Sequence, residues 1–577
     1  MIAIQKGLLF VMFAVCFGSP SIVHAVERVS VDSLAIEANG PSGRFAPPRM
    51  SADGRFVAFE SNADNLVPND ANGAADIFVH DRMTGMTERV SIASDGSEAS
   101  SFSQEPAISG DGRFVAFNSP ANNLVPNDHF NNDVFVYDRL NATIDRVSVG
   151  PSGEEADPGA NSFGAAISAD GRFVAFTTSA SNFDVDSDPD FDVFVKDRLT
   201  GSIERANVAS DGSQSAPGLD SNRLPAISAD GRFVTFFSAA ANLVADDTNG
   251  ATDLFVHDRL TGATERADVA SDGGQASIGA AGDKSPAISA DGRFVAFTSR
   301  AQDLYTTVYN GRDQIFVRDR LAGLTEQITV GLGGTTGNSD SGNTSISGDG
   351  RFVAFQSCST NLVAGDTSAT CDDVFVHDRQ TGTTARVSLA FDGGEASGNG
   401  SDLIVTAMSG DGRLISWDSG STNLVPADTN GVHDVFVAAN PLANRSPSCA
   451  AAVLAPVSTL WPPNHALVRL AVAGISDPDG DPINVTVTQI TQDEPLLGQG
   501  SGDKCPDGMG IGGATAIVRA ERNGTGDGRV YHVHFEATDG RGGSCIGMAT
   551  ACVPHDMGNG SACTDQHTDV NATGPCQ

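Results

Sequence analysis

At 577 residues the chain exceeds one ordinary compact core, so several folding units or a repeat architecture are expected. Its formal net charge of -37, from 72 acidic against 35 basic residues, repels phosphate backbones and anionic membrane surfaces, which argues against a nucleic-acid partner. Abundant glycine (64 residues), with Val, Thr, Phe and Ile in short runs between Gly, Asp and Asn clusters, gives the texture of an all-β chain.

The first 25 residues carry Lys6, an apolar run over 7–18 and the small-residue ending Val23-His24-Ala25, the pattern of a secretory signal peptide cleaved near Ala25. Cys16 would leave with it. A periplasmic or extracellular mature chain then keeps eight cysteines, in a compartment where disulfides persist. No later apolar stretch is long enough to span a bilayer, so membrane insertion is not expected.

From residue 26 to 440 the chain repeats. DGRFVAF or a near copy begins at Asp53, Asp111, Asp170, Asp230, Asp291, Asp349 and Asp411, seven copies spaced by 58, 59, 60, 61, 58 and 62 residues. Each copy holds four short β-type runs, in the second copy 106–109, 113–117, 133–139 and 144–149. Four strands per repeat make one propeller blade. The seventh copy has runs at 406–409, 413–417 and 434–437 and then no fourth. The missing run stands at the other end, where 26–31 reads VERVSV and matches the fourth-strand pattern at 87–92. An N-terminal strand completing the last blade would close a seven-bladed ring and remove exposed sheet edges.

The S-x-DGRFVAF strand followed by DVFVHDR resembles the TolB-type, WD40-like propeller repeat of exported bacterial proteins. The likeness covers about residues 26–440. It implies a fold and no particular chemistry, since that repeat serves interaction proteins, accessory domains of hydrolases and some polysaccharide lyases.

With strands alternating in direction, the first-to-second and third-to-fourth turns share one face of the disc. These turns are nearly invariant within the chain. The second-to-third loops and the links between blades share the other face and vary from blade to blade, as a single asymmetric protein or glycan site requires. Asp53, Arg55, Asp81 and Arg82, and the histidines His80, His257 and His377, recur at equivalent positions and read as blade architecture.

Several second-to-third loops carry D-x-N-G-x-x-D: Asp70, Asn72 and Asp76; Asp247, Asn249 and Asp253; Asp428, Asn430 and Asp434. A denser relative is Asp184, Asp186, Asp188, Asp190 and Asp192. Alternating oxygens ahead of a turn glycine are a calcium-loop pattern, so these residues are candidate calcium ligands. The third alternating ligand and terminal Glu of an EF-hand are missing, and Asn-Gly forms turns without metal. Cys358 and Cys371 flank one loop and are expected to pair.

After a linker at 441–447 the composition shifts, and six cysteines follow from Cys449. The string DPDGDP, with Asp477, Asp479 and Asp481 ahead of a strand, resembles the calcium-associated turns of bacterial cadherin-like and immunoglobulin-like modules. That resemblance implies a disulfide-bearing β-sandwich over 448–556, calcium at those three aspartates and a cysteine-containing tail at 557–577. Cys552, His555, Cys563 and His567 could be drawn as a zinc site, although disulfides are the expected fate of these thiols. No G-x-S-x-G, H-E-x-x-H, Walker or dinucleotide motif occurs. The function expected is non-enzymatic binding or scaffolding. The alternative is a carbohydrate-active lyase or hydrolase with its site over the propeller channel.

Overall fold

The computed structural model describes residues 26–577 apart from 45, 127, 129–130, 185–189, 217–223, 282–283, 369–370, 372, 398–405, 479–480, 495–504, 523–527, 541–542, 556–562, 566–569 and 575–577. The signal-peptide reading of 1–25 lies outside these residues. Among the described residues there is no α-helix, and no helix is long and apolar enough to cross a membrane. The chain divides into two compact units, Met1–Leu442 and Ala443–Gln577.

Among the described residues the first unit contains seven four-stranded antiparallel sheets. The second of them, Gln104–Ile108, Phe114–Ser119, Asp133–Asp138 and Thr143–Arg146, follows the runs read from the sequence. Its two middle strands are buried on both faces because neighbouring sheets pack against each. On one side Ala58, Ile77 and Val79 of the first sheet meet Val115, Phe117 and Phe135. On the other, Val134 and Val136 meet Val174 and Phe176 of the third.

The last sheet joins Thr406–Met408, Leu414–Ser419 and Asp434–Ala439 to the N-terminal strand Glu27–Arg28. Glu27 pairs with Val437 and Arg28 with Phe436, and Val29 N–H donates to Val435 O at 2.8 Å. Val29, Val435 and Val437 share an apolar cluster with Val57, Phe59 and Phe78 of the first sheet.

The repeated DGRF string acquires its meaning at the junctions between sheets. The Phe56 ring lies under the Arg55 guanidinium at 4.6 Å and under Arg139 of the next sheet at 4.2 Å, a doubled cation–π contact. Gly112 sits against the same ring, where an added Cβ would stand 2.1 Å from it, and its φ of +73° also favours glycine. The same stacking recurs at Phe114, Phe173, Phe233 and Phe294.

The S-x-D-G turns are also tied to one another, through the backbone of residue x. Ala52 N–H donates to Gly110 O at 2.8 Å, Gly110 to Ala169 at 2.9 Å, Ala169 to Ala229 at 2.9 Å and Ala229 to Ala290 at 3.0 Å. Ala290 continues to Gly348 at 2.9 Å and Gly348 to Gly410 at 2.8 Å, and Asp411 N–H returns to Ala52 O at 3.1 Å. The circuit passes through all seven turns and closes on itself. Position x is Ala or Gly throughout because the turns nearly touch: a Cβ on Gly410 would lie 3.2 Å from that of Ala52.

In the second unit Val453–Ala455, Leu467–Ala473, Thr515–Arg519 and Gly508–Met509 form one antiparallel sheet. Ser544–Val553, Arg529–Thr538, Asn484–Gln492 and Val570–Asn571 form the other. They share a core that includes Leu470, Val518, Ile490, Tyr531 and Phe535. Inside it Arg529, fully buried, donates to Asp507 Oδ2 at 2.6 Å and to Glu494 Oε2 at 3.2 Å.

Candidate functional site

The recurrent charges serve the sheets. Arg55 Nε and Nη2 make a two-pronged contact with Asp81 at 2.8 and 2.7 Å, joining two turns of one sheet, while Asp53 accepts from Ser51 Oγ at 2.6 Å within its own turn. Arg82 reaches Gly54 O at 2.9 Å and Glu27 of the preceding sheet. The Nδ1 atoms of His80, His257 and His377 each lie 2.9 Å from a threonine hydroxyl, and burial holds all three imidazoles below their ordinary pKa.

The Asp70 loop does bring carboxylates together: oxygens of Asp70, Asp76 and Glu98 lie within 4.8 Å of one another, as do those of Asp128, Asp133 and Glu155 at the equivalent place in the second sheet, which lacks the Asn-Gly pair. An arginine from the fourth strand enters each group. Arg89 Nη1 is 3.2 Å from Asp70, 3.3 Å from Asp76 and 2.9 Å from Glu98. Arg146 stands likewise among Asp128, Asp133 and Glu155, Arg28 among Asp428, Asp434 and Glu37, and Arg266 between Asp247 and Asp253. Asn72, Asn249 and Asn430 turn their amide nitrogens to Asp76, Asp253 and Asp434, so their oxygens cap backbone N–H groups of the turn instead. In the third sheet Arg205 pairs with Asp184 at 2.8 Å and also with Asp192, whereas Asp186 and Asp188 lie outside the described residues. In the fifth sheet both partners lose their charge together, Gln314 standing for the aspartate and Gln327 for the arginine.

These clusters make stability pH-dependent. Burial pushes Asp128 up to about 7, against the pull of Arg146 and with Asp133 and Glu155 adding to the rise, and it pushes Asp70 up to about 6. A carboxyl raised on folding stabilises below its ordinary pKa, and that contribution is lost as pH climbs through the raised value. Asp138 behaves oppositely. Its bond from Arg113 lowers it to about 2, so its contribution is present above the ordinary value and disappears as pH falls toward 2. The melting temperature should therefore peak near pH 4 and fall between about pH 4 and 7, with Asp128→Asn flattening that fall in scanning calorimetry.

A cavity of about 410 Å³ runs where the first strands of all seven sheets converge. Register with the second strands aligns Arg49 with Ala107, Ala166, Ala226, Ala287, Ser345 and Ala407, so one sheet presents a guanidinium where the others present a small side chain. Two positions earlier on the first strand, Glu105, Leu224 and Asn343 adopt φ of +55°, +56° and +52° and line the same cavity. Glu105 Oε2 accepts from Gly164 N–H at 2.8 Å, and burial raises its pKa. Among the described residues the Arg49 guanidinium has no hydrogen-bond or ion-pair partner. Sequence reading missed it, although the signal was present: the first copy reads Pro48-Arg49-Met50-Ser51 where the second reads Pro106-Ala107-Ile108-Ser109.

Cys358 and Cys371 form the expected disulfide. In the second unit Cys449 pairs with Cys545 and Cys552 with Cys563, which removes two sulfurs from the zinc arrangement, and Cys505 is also disulfide-bonded. Asp477 Oδ1 accepts from Asp481 N–H at 3.1 Å, while Asp479 lies outside the described residues.

No family model matches the chain, and no curated protein matches it. Solved structures similar to it include an oligogalacturonate lyase from Vibrio parahaemolyticus, 13% identical over 72% of this chain and 93% of that one, with a TM-score of 0.42. Another is a putative TolB from Agrobacterium tumefaciens, 17% identical over 52% of this chain and 86% of that one, TM-score 0.31. The Dos1 propeller is 11% identical over 72% and 94%, TM-score 0.35. The likeness to these proteins is one of β-propeller fold alone.

Proposed function

We propose that the chain is an exported, non-enzymatic binding or scaffolding protein: a closed seven-bladed β-propeller followed by a β-sandwich module of cadherin or immunoglobulin type, taking a protein or glycan ligand on the face of its variable loops. The observation that carries this reading is the division of labour among charged residues. Those that recur, such as Arg55 with Asp81 and Arg89 with Asp76, are bound to one another within the sheets. Sequence that differs from sheet to sheet gathers in the loops and links of one face, where a single ligand can be distinguished. The disulfides favour an oxidising compartment, in keeping with a signal peptide at 1–25.

Calcium would have to displace a guanidinium from the Asp70, Asp247 and Asp428 groups, since both cations need the same oxygens. Charge compensation by arginine is therefore the reading proposed there. Asp477 and Asp481 remain the candidate calcium ligands of the second unit.

The test is a screen of the purified protein against acidic and neutral polysaccharides and peptide arrays, with product release measured beside binding. Binding without turnover is expected. Turnover abolished by one channel substitution would replace this reading with the lyase or hydrolase alternative. In parallel, chelator should leave the melting transition of the first unit unchanged; a drop reversed by added calcium would refute the arginine reading.

A further inference from the structure

We infer that the channel is a small-molecule pocket in its own right, in which Arg49 holds the carboxylate of an aliphatic monoanion. This stands apart from the variable-face ligand.

The cavity, at about 410 Å³, falls in the range of small-ligand sites. Its walls mix aliphatic side chains, Ile108, Ile167, Ile227 and Met408 among them, with polar ones, and none of the described lining residues is aromatic. The aliphatic part suits a hydrocarbon stem, and the described lining offers no stacking platform for a sugar ring. One planar cation stands among these walls. A guanidinium presents paired N–H donors that match the two oxygens of a carboxylate, and an arginine with no hydrogen-bond or ion-pair partner among the described residues gains from one. Burial lowers its pKa to about 10, with Glu105 opposing the shift, so it stays protonated at neutral pH.

Glu105 sets the charge of the guest. It is the other charged residue among the described lining residues and is held by Gly164 N–H at 2.8 Å. The guanidinium matches a single carboxylate, whereas a second negative charge on the guest would face the Glu105 carboxylate.

The test is titration calorimetry of the full chain with sodium hexanoate, hexanamide, succinate and sulfate. Hexanoate should bind, with the other three at least about 30-fold weaker, and Arg49→Ala should lose hexanoate by a similar factor. That variant installs the side chain the second, third, fourth, fifth and seventh sheets already carry at this position, so its fold is expected to persist. Glu105→Gln should narrow the gap between hexanoate and succinate. Undiminished hexanoate binding by Arg49→Ala, or equal binding of hexanamide, overturns the inference. Absence of hexanoate binding overturns it too and leaves the variable-face reading to the ligand screen.

Discussion

Val29→Asp is expected to destabilise the first unit by about 3–5 kcal/mol, the scale of a charge buried without a partner. Val29 has no exposure and is wedged between the last sheet and the first, against Val57, Phe59, Phe78, Val435 and Val437. The loss reaches beyond one side chain, because the strand it displaces covers an otherwise open sheet edge. The two tryptophans of the chain allow a clean reading: Trp417 is buried in the first unit, and Trp461→Phe silences the second. Denaturant unfolding followed by Trp417 fluorescence should show the lower midpoint, and Leu34→Asp, at a site 81% exposed, should show almost none of it. Equal midpoints for Val29→Asp and the parent would mean that the N-terminal strand does not secure the last sheet.

Arg529→Met should cost the second unit a comparable amount, about 3–5 kcal/mol. Removing this guanidinium leaves Asp507, fully buried, and Glu494, 4% exposed, without their closest positive charge. Arg519, 3.5 Å from Asp507, compensates in part. Adding Asp507→Asn and Glu494→Gln to the same chain should recover more than half of the loss, because the penalty lies in the stranded carboxylates and not in a missing attraction. Calorimetry in which the triple variant melts no higher than the single one would refute that account.

Much of the architecture was legible because its determinants are local. The four apolar runs of each copy lie within one repeat of the DGRF string, the run missing from the last copy is matched by the one at 26–31, and the sheets follow them. The carboxylate loops were only half legible. Asp70, Asn72 and Asp76 announce a turn with converging oxygens, but the group that fills its centre, Arg89, arrives a strand later and was visible only as one of many repeated arginines. Backbone bonds between S-x-D-G turns leave no side-chain signature at all. Their trace is the restriction of position x to Ala or Gly, which reads as ordinary turn composition until the turns are seen to touch. Arg49 escaped for a different reason. The repeat displays what the copies share, whereas Arg49 stands at a position where one copy departs from the rest.

The pairing of Arg28 with Asp434, 406 residues later, also fixes an order of events. Six of the sheets complete themselves within their own stretch of chain and can form as it emerges. The seventh cannot, because its fourth strand, Glu27–Arg28, precedes every other strand of this unit and has to wait, unpaired, until almost the whole of the unit exists. The clasp therefore shuts last. Until then both terminal edges are open to wrong partners, and a single cut ahead of residue 32 would return the finished molecule to that unguarded state.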